Sequence, residues 1–120
     1  MQWTGLVAVI VVLAAFKLLK KSGEISAARA QELLKNGARV LDVRTSGEFR
    51  SGHLKKAVNL PLDEIEALIE QTVKDKNQAL LLHCQSGIRS GMAARKLNAL
   101  GYTNVHNLGS YQRAASMVED

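Results

Sequence analysis

The sequence of 120 residues has a single cysteine, Cys84. No internal disulfide can form, so a disulfide-stapled scaffold is excluded. Only three histidines are present, His53, His83 and His106, and they are scattered. That supply does not support a four-ligand Cys/His zinc site, and neither a metal nor a cofactor is implied. Aromatic residues make up 4% of the chain, so the stacking platforms typical of nucleic-acid binding are missing. The formal net charge of +5 does not change this, because Lys17, Lys20 and Lys21 supply three of those charges. From Ser22 onward, 13 basic residues are interleaved with 11 acidic ones. No basic stripe forms, and no nucleic-acid partner is expected. Internal repeats and low-complexity tracts are absent too.

What the chain does have is an apolar N-terminus. No charged side chain occurs from Met1 to Phe16, and Leu6 to Phe16 is unbroken apolar sequence. Trp3 to Leu19 is 17 residues, the short end of the range for a membrane-spanning helix. Trp3 suits an interface, and the lysines at the far edge can snorkel. A cleaved signal peptide would carry positive charge before the apolar stretch, whereas here it follows. The expectation is a transmembrane anchor over residues 1–21 with a basic flank, in contact with membrane lipid, and a domain over residues 22–120. The positive flank is C-terminal, so the domain is expected on the cytoplasmic side of the cell inner membrane, single-pass. A reducing cytoplasm keeps Cys84 a thiol. About a hundred residues suffice for one domain with its own core.

Beyond a polar linker from Lys20 to Glu24 the pattern alternates. Ser26 can cap a helix from Ala27 to Asn36, with Gly37 as the stop. Ala38 to Val43 reads as a strand, Arg44 to about Lys56 as a loop, and Ala57 to Leu60 as a second strand ended by Pro61. Leu62 to Val73 has helical periodicity. Ala79 to Leu82 is a continuous apolar run, as a strand buried on both faces should be. Ser90 to Leu100 reads as a helix closed by Gly101, Asn104 to Leu108 as a strand, and Ser110 to Met117 as a last helix. Strands alternating with helices predict an α/β domain, its mainly parallel central sheet flanked by helices.

The stretch His83-Cys84-Gln85-Ser86-Gly87-Ile88-Arg89-Ser90 lies between the most apolar strand and a helix. Ligands bind off the carboxyl ends of strands in such sheets. A thiol is a good nucleophile only as thiolate, and a helix N-terminus with a nearby cation favours that form. A tight loop of small residues can turn its N–H groups inward as an anion-holding nest, and Gly87 permits the backbone angles this needs. Arg89 adds a fixed charge with bidentate hydrogen bonding. The bland alternative is a buried cysteine serving only as packing.

The octapeptide resembles the active-site loop of rhodanese domains, C-x-x-G-x-R-S. Leu41-Asp42-Val43-Arg44, Glu48-Phe49, Gly52-His53-Leu54 and Ala57-Val58-Asn59-Leu60-Pro61 resemble that family's other signature, and Ala94, Leu97, Leu100, Gly101-Tyr102 and Val105 fit its following helix and strand. The resemblance runs from about Glu24 to the end. It implies a rhodanese-like domain that takes sulfane sulfur from a small anionic donor such as thiosulfate, or from a persulfide, onto Cys84. A thiophilic acceptor, cyanide or a thiol, then removes it. Gln85, Ser86, Gly87, Ile88, Arg89 and Ser90 would form the substrate-binding loop, with Arg89 orienting the donor and stabilising the thiolate. Arg44 and Glu48 are expected to form an ion pair holding the loop, and His53 to fix the turn before the second strand. One departure is that the family's glycine pair is Gly109-Ser110 here, and its tryptophan position falls on Ala114.

Two alternatives stay open. A membrane-tethered carrier would pass its persulfide to a protein partner. A cysteine phosphatase or arsenate reductase would use a similar loop, but with five residues between cysteine and arginine. Here four intervene, a smaller cradle, and the cradle must fit the group where charge develops.

Overall fold

Strand β3 (Leu80–His83) is buried at every position, and everything else is arranged around it. In the computed structural model, which describes residues 23–118, four strands form one parallel sheet in the order β2-β1-β3-β4. Its members are β1 (Arg39–Asp42), β2 (Ala57–Asn59), β3 and β4 (Val105–Gly109). Five helices connect and flank them: α1 (Ala27–Lys35), α2 (Ser46–Ser51), α3 (Ile65–Thr72), α4 (Ile88–Ala99) and α5 (Tyr111–Val118). The expected parallel α/β architecture is the one found. The expected anchor over residues 1–21 lies outside the described residues. Among the described residues, no helix is long and apolar enough to cross a membrane.

Alternation along the strands builds two cores. Leu41, Leu80 and Leu82 face one side and pack with Ile65 and Ile69 of α3 and Ala93 and Leu97 of α4. Val40 and Leu81 face the other and pack with Ala30 and Leu33 of α1 and Ala114 and Met117 of α5. A strand with apolar residues on both faces needs this double cover, because successive side chains point to opposite sides. Ser26 caps α1 as expected, its hydroxyl accepting from the N–H of Arg29 at 3.2 Å.

Three features differ from the sequence reading by more than a residue, the first being that α3 begins at Ile65 and not at Leu62. The loop expected from Arg44 to Lys56 contains α2. Thr45 accepts from the N–H of Glu48, and the Glu48 carboxylate accepts from the N–H of Thr45, a reciprocal capping box of the kind that starts helices. Helix α4 begins at Ile88 rather than Ser90, because Gly87, at φ 100°, supplies its N-cap. The ladder between β3 and β4 is irregular at its carboxyl end, where Leu82 faces Asn107 but His83 faces Gly109. That irregularity lies next to Cys84.

Candidate active site

Cys84 is the first residue beyond β3, and its side chain is closed to solvent. Its N–H donates to Gly109 O at 3.2 Å, which ties the loop to the end of β4. The chain then turns back at once. The Gly87 N–H donates to Cys84 Sγ at 2.9 Å, and the Ser90 hydroxyl lies 3.5 Å from the same sulfur. Burial, the largest single influence, raises the thiol's pKa. Hydrogen bonds from the Ser90 hydroxyl and from the N–H groups of Ser90, Gly87 and Ser86 outweigh it and leave Cys84 below its ordinary value. A thiol held below its ordinary value has the thiolate character that a nucleophile requires.

Two glycines make the turn possible. Gly87 and Gly109 sit at φ 100° and 94°, a region that residues with a Cβ enter only with strain. A Cβ on Gly87 would lie 3.3 Å from the Gly109 Cα and 3.3 Å from Glu24 Oε1. The serine that follows Gly109 caps α5, its hydroxyl accepting from the Arg113 N–H at 3.0 Å. Asn107, which the sequence reading treated only as part of a strand, holds the far side of the loop. Its Nδ2 donates to Gly87 O at 3.2 Å, and its Oδ1 accepts from the Gly109 N–H at 2.9 Å and the Ser90 hydroxyl at 2.6 Å. A buried asparagine near a bulged strand end is the signal that was available, though a single sequence does not reveal the bulge.

The charged residues pair differently from expectation. Arg44 and Glu48 do not bind each other. Arg44 folds back on Asp42, two residues earlier, with Nη2 to Oδ2 at 2.8 Å and Nε to Oδ1 at 3.0 Å. It also donates to Gly52 O at 2.8 Å and reaches Gln85 Oε1 at 3.4 Å. The hydrogen bonds that Arg44 donates to Asp42 raise its pKa against the opposing effect of burial. Glu48 instead takes the loop arginine, with Arg89 Nη1 and Nη2 at 2.7 and 2.9 Å from its two oxygens. That pairing with Arg89, joined by the Thr45 N–H, lowers the Glu48 pKa to about 2. The reason is reach. Asp42 ends β1 directly beneath Arg44, whereas capping lifts Glu48 onto α2, across from Arg89. His53 donates from Nδ1 to Phe49 O at 2.9 Å and stacks on the Phe49 ring, at the turn before β2.

Of the loop residues, Gln85, Ser86 and Ile88 are exposed, Gly87 and Arg89 are half-buried, and Ser90 is buried. Ile88 is 72% exposed, and Met92, one turn on, is 40% exposed. Gln85 belongs to the loop frame as well, its carbonyl accepting from the Tyr111 N–H at 3.3 Å.

A parallel α/β sheet with a thiol in a tight N–H-lined loop at a strand's carboxyl end defines a class of cysteine-loop proteins. Within it, the sequence profile of the rhodanese-like domain matches residues 26–115, and the chain belongs to that family. The thiosulfate sulfurtransferase PspE of Escherichia coli is 36% identical over 75 residues, covering 62% of this chain and 72% of its own. Thiosulfate sulfurtransferase 18 of Arabidopsis thaliana is 38% identical over 97 residues, covering 71% of each. The solved structure of a human single-domain sulfurtransferase superposes with a TM-score of 0.65 at 28% identity, covering 78% of this chain and 96% of that one.

Proposed function

We propose that this protein moves sulfane sulfur from thiosulfate or a persulfide donor to a thiophilic acceptor, cyanide or a thiol, through a persulfide on Cys84. The observation that carries this reading is the sulfur's setting, with the Gly87 N–H at 2.9 Å and the N–H groups of Ser86 and Ser90 turned to it as well. Donors converging on one sulfur favour its anion, and they serve equally when the anion is the attacking or the leaving thiolate. In the loading step the Cys84 thiolate attacks the outer sulfur of the donor. In the discharge step an acceptor takes that sulfur and Cys84 departs as thiolate. Arg89, on the first turn of α4, adds positive charge near the thiolate, and Gln85, Ser86, Gly87, Ile88 and Ser90 complete the substrate loop.

A phosphatase reading is disfavoured by the same geometry. Four residues separate Cys84 from Arg89, where a phosphatase or arsenate reductase loop places five. Exposure of Ile88 beside the loop favours a second reading, in which the acceptor thiol belongs to a protein that covers this residue. Slow discharge to cyanide with fast discharge to a protein thiol would mark that carrier role.

The experiment is intact-mass measurement after thiosulfate treatment, beside a Cys84→Ser control. A gain of one sulfur, absent in the control and removed by cyanide, is the expected result. No gain on reduced, folded protein would sink the thiosulfate reading. The tether belongs to the same proposal. Residues 1–21 would anchor the chain in the inner membrane with the domain in the cytoplasm, on the strength of their apolar run and lysine flank. Full-length protein that leaves the membrane fraction in a high-salt or alkaline wash would count against an anchor.

A further inference from the structure

The chain enters the domain at Gly23 and Glu24, and the chemistry above uses neither. Strand β4 is an edge of the sheet, and Glu24 pairs with its Asn107 as a lone parallel bridge. The next N–H, from Ile25, donates to Asn107 O at 2.9 Å. The backbone of Asn107 thus holds the entering chain, while its side chain holds Gly87, Ser90 and Gly109. The same docking puts the Glu24 carboxylate against the cysteine loop. A Cβ on Gly109 would lie 3.0 Å from Glu24 Oε1, and a Cβ on Gly87 would lie 3.3 Å from that same oxygen. One carboxylate oxygen therefore fills the space outside both glycines of the turn.

The other oxygen, Oε2, lies 3.6 Å from Arg113 Nε. Arg113, on α5, is itself fixed, with Nη1 donating to Leu108 O at 2.7 Å and Nη2 donating to Ile25 O. Its guanidinium bridges the entering chain and the end of β4. A cavity opens beside Glu24, lined also by Arg95 and Asn98 of α4 and by His106 of β4. The Glu24 side chain keeps 38% of its surface exposed. Its place against the glycines is thus set by Arg113 and by the backbone pairing, not by close confinement. Around the sulfur, Arg89 of α4 is the facing charge, while His83 lies with Asp42 on the other side of the sheet.

We propose that Glu24 is a positioning residue for the Cys84 nucleophile, its carboxylate wedged behind Gly87 and Gly109 and locked there by Arg113. The Gly87 N–H donates to Cys84 Sγ at 2.9 Å, and a glycine has no side chain of its own to hold that N–H in place. The wedge closes the space into which the turn would otherwise relax. Without it the loop moves outward and the sulfur anion loses a donor, which disfavours the thiolate. A through-space effect of the Glu24 charge would have the opposite sign, because a carboxylate near a thiol disfavours its anion and deleting the carboxylate would favour it. The wedge bears on sulfur transfer because the same thiolate attacks the donor and departs on discharge. Only that consequence rests on the sulfur-transfer reading, since the thiolate can be observed without any sulfur donor.

The test compares the pH dependence of Cys84 alkylation by iodoacetamide in full-length Glu24→Gln and Glu24→Ala. Both variants remove the charge, and only Gln keeps the wedge and an acceptor for Arg113. The difference between them therefore reads the wedge alone. The alkylation midpoint of Glu24→Ala is expected to lie about one pH unit above that of Glu24→Gln, the scale of one hydrogen bond to an anion. A tie that only stabilises the fold would lower the urea midpoint of Glu24→Ala and leave the two alkylation midpoints equal. An Ala midpoint at or below the Gln midpoint in folded protein overturns the proposal. A second measurement follows hydrogen exchange at the Gly87 amide in Arg113→Gln, which unlocks the wedge without altering Glu24. Exchange is expected to be several-fold faster than in unaltered protein, and an unchanged rate overturns the proposal even if Glu24→Ala does not fold. If unaltered protein gains no sulfur from thiosulfate while the Ala midpoint still lies above the Gln one, the sulfur-transfer reading falls and the wedge stands.

Discussion

Asp42 has no contact with solvent, and Arg44 is 5% exposed. Removing one partner of such a pair leaves the other charge buried and unmatched, at a cost of about 3–5 kcal/mol. Arg44→Met is therefore expected to destabilise the domain by about that amount, read from the shift in the urea midpoint. Adding Asp42→Asn to that background is expected to restore part of the loss, because a neutral amide is cheaper to leave beside the remaining N–H of residue 44. A loss below about 1 kcal/mol in the single variant would show that the pair is not the buried tie described here. The sequence displayed all four charges, Asp42, Arg44, Glu48 and Arg89, but not their partners. Partner choice depended on where β1 ends and on a helix lifting Glu48 toward Arg89. Spacing along the chain pointed to Arg44 with Glu48, and three-dimensional reach decided otherwise.

Helix α2 shows the same lesson for elements. The run Thr45-Ser46-Gly47-Glu48 is a capping-box pattern, yet the six-residue helix it starts has no buried residue and so no apolar periodicity to find. Helices α1, α3 and α4 were legible because each buries apolar residues at helical spacing, and β3 because its whole run is apolar. The start of α4 was misplaced by two residues, since a left-handed glycine cap has no side-chain signature. Within α2, Glu48 serves two ends at once, accepting from the Thr45 N–H at 3.0 Å and from Arg89. Its folded pKa of about 2 lies below the ordinary value of 4.5. Its contribution to stability is thus complete above the ordinary value and is lost as pH falls through the folded one. Glu48→Gln keeps the capping acceptor and removes the charge. Its stability deficit against unaltered protein is expected to be full at neutral pH and to fade between about 4.5 and about 2. A deficit that stays constant across that window would mean that the Arg89 pair contributes nothing beyond the cap.

At the scale of the molecule, one central strand joins two cores. Leu82 packs with α3 and α4, and Leu81 packs with α1 and α5, both at 0% exposure. The sequence predicted a strand buried on both faces at this point, but not which helix covers which face. That assignment follows from the crossovers, and the strand order β2-β1-β3-β4 is not written in local pattern. Each leucine fills a well-packed site, so truncation removes transfer energy and leaves a cavity, at about 2–5 kcal/mol. Leu81→Ala and Leu82→Ala are each expected to lose an amount in that range. Neither face can open while β3 stays paired, because the strand's backbone serves both. Tyr102, packed in the first core, and Tyr111, packed against the second, offer a separate reporter for each face. In both variants the two tyrosine ring signals in NMR are expected to lose their native positions at one urea concentration, as a single cooperative unit requires. If Leu81→Ala released Tyr111 well before Tyr102, the two cores would be separable. The site would then rest on only one of them, since Cys84 packs with the first core while His83 and Asp42 face the side of Tyr111.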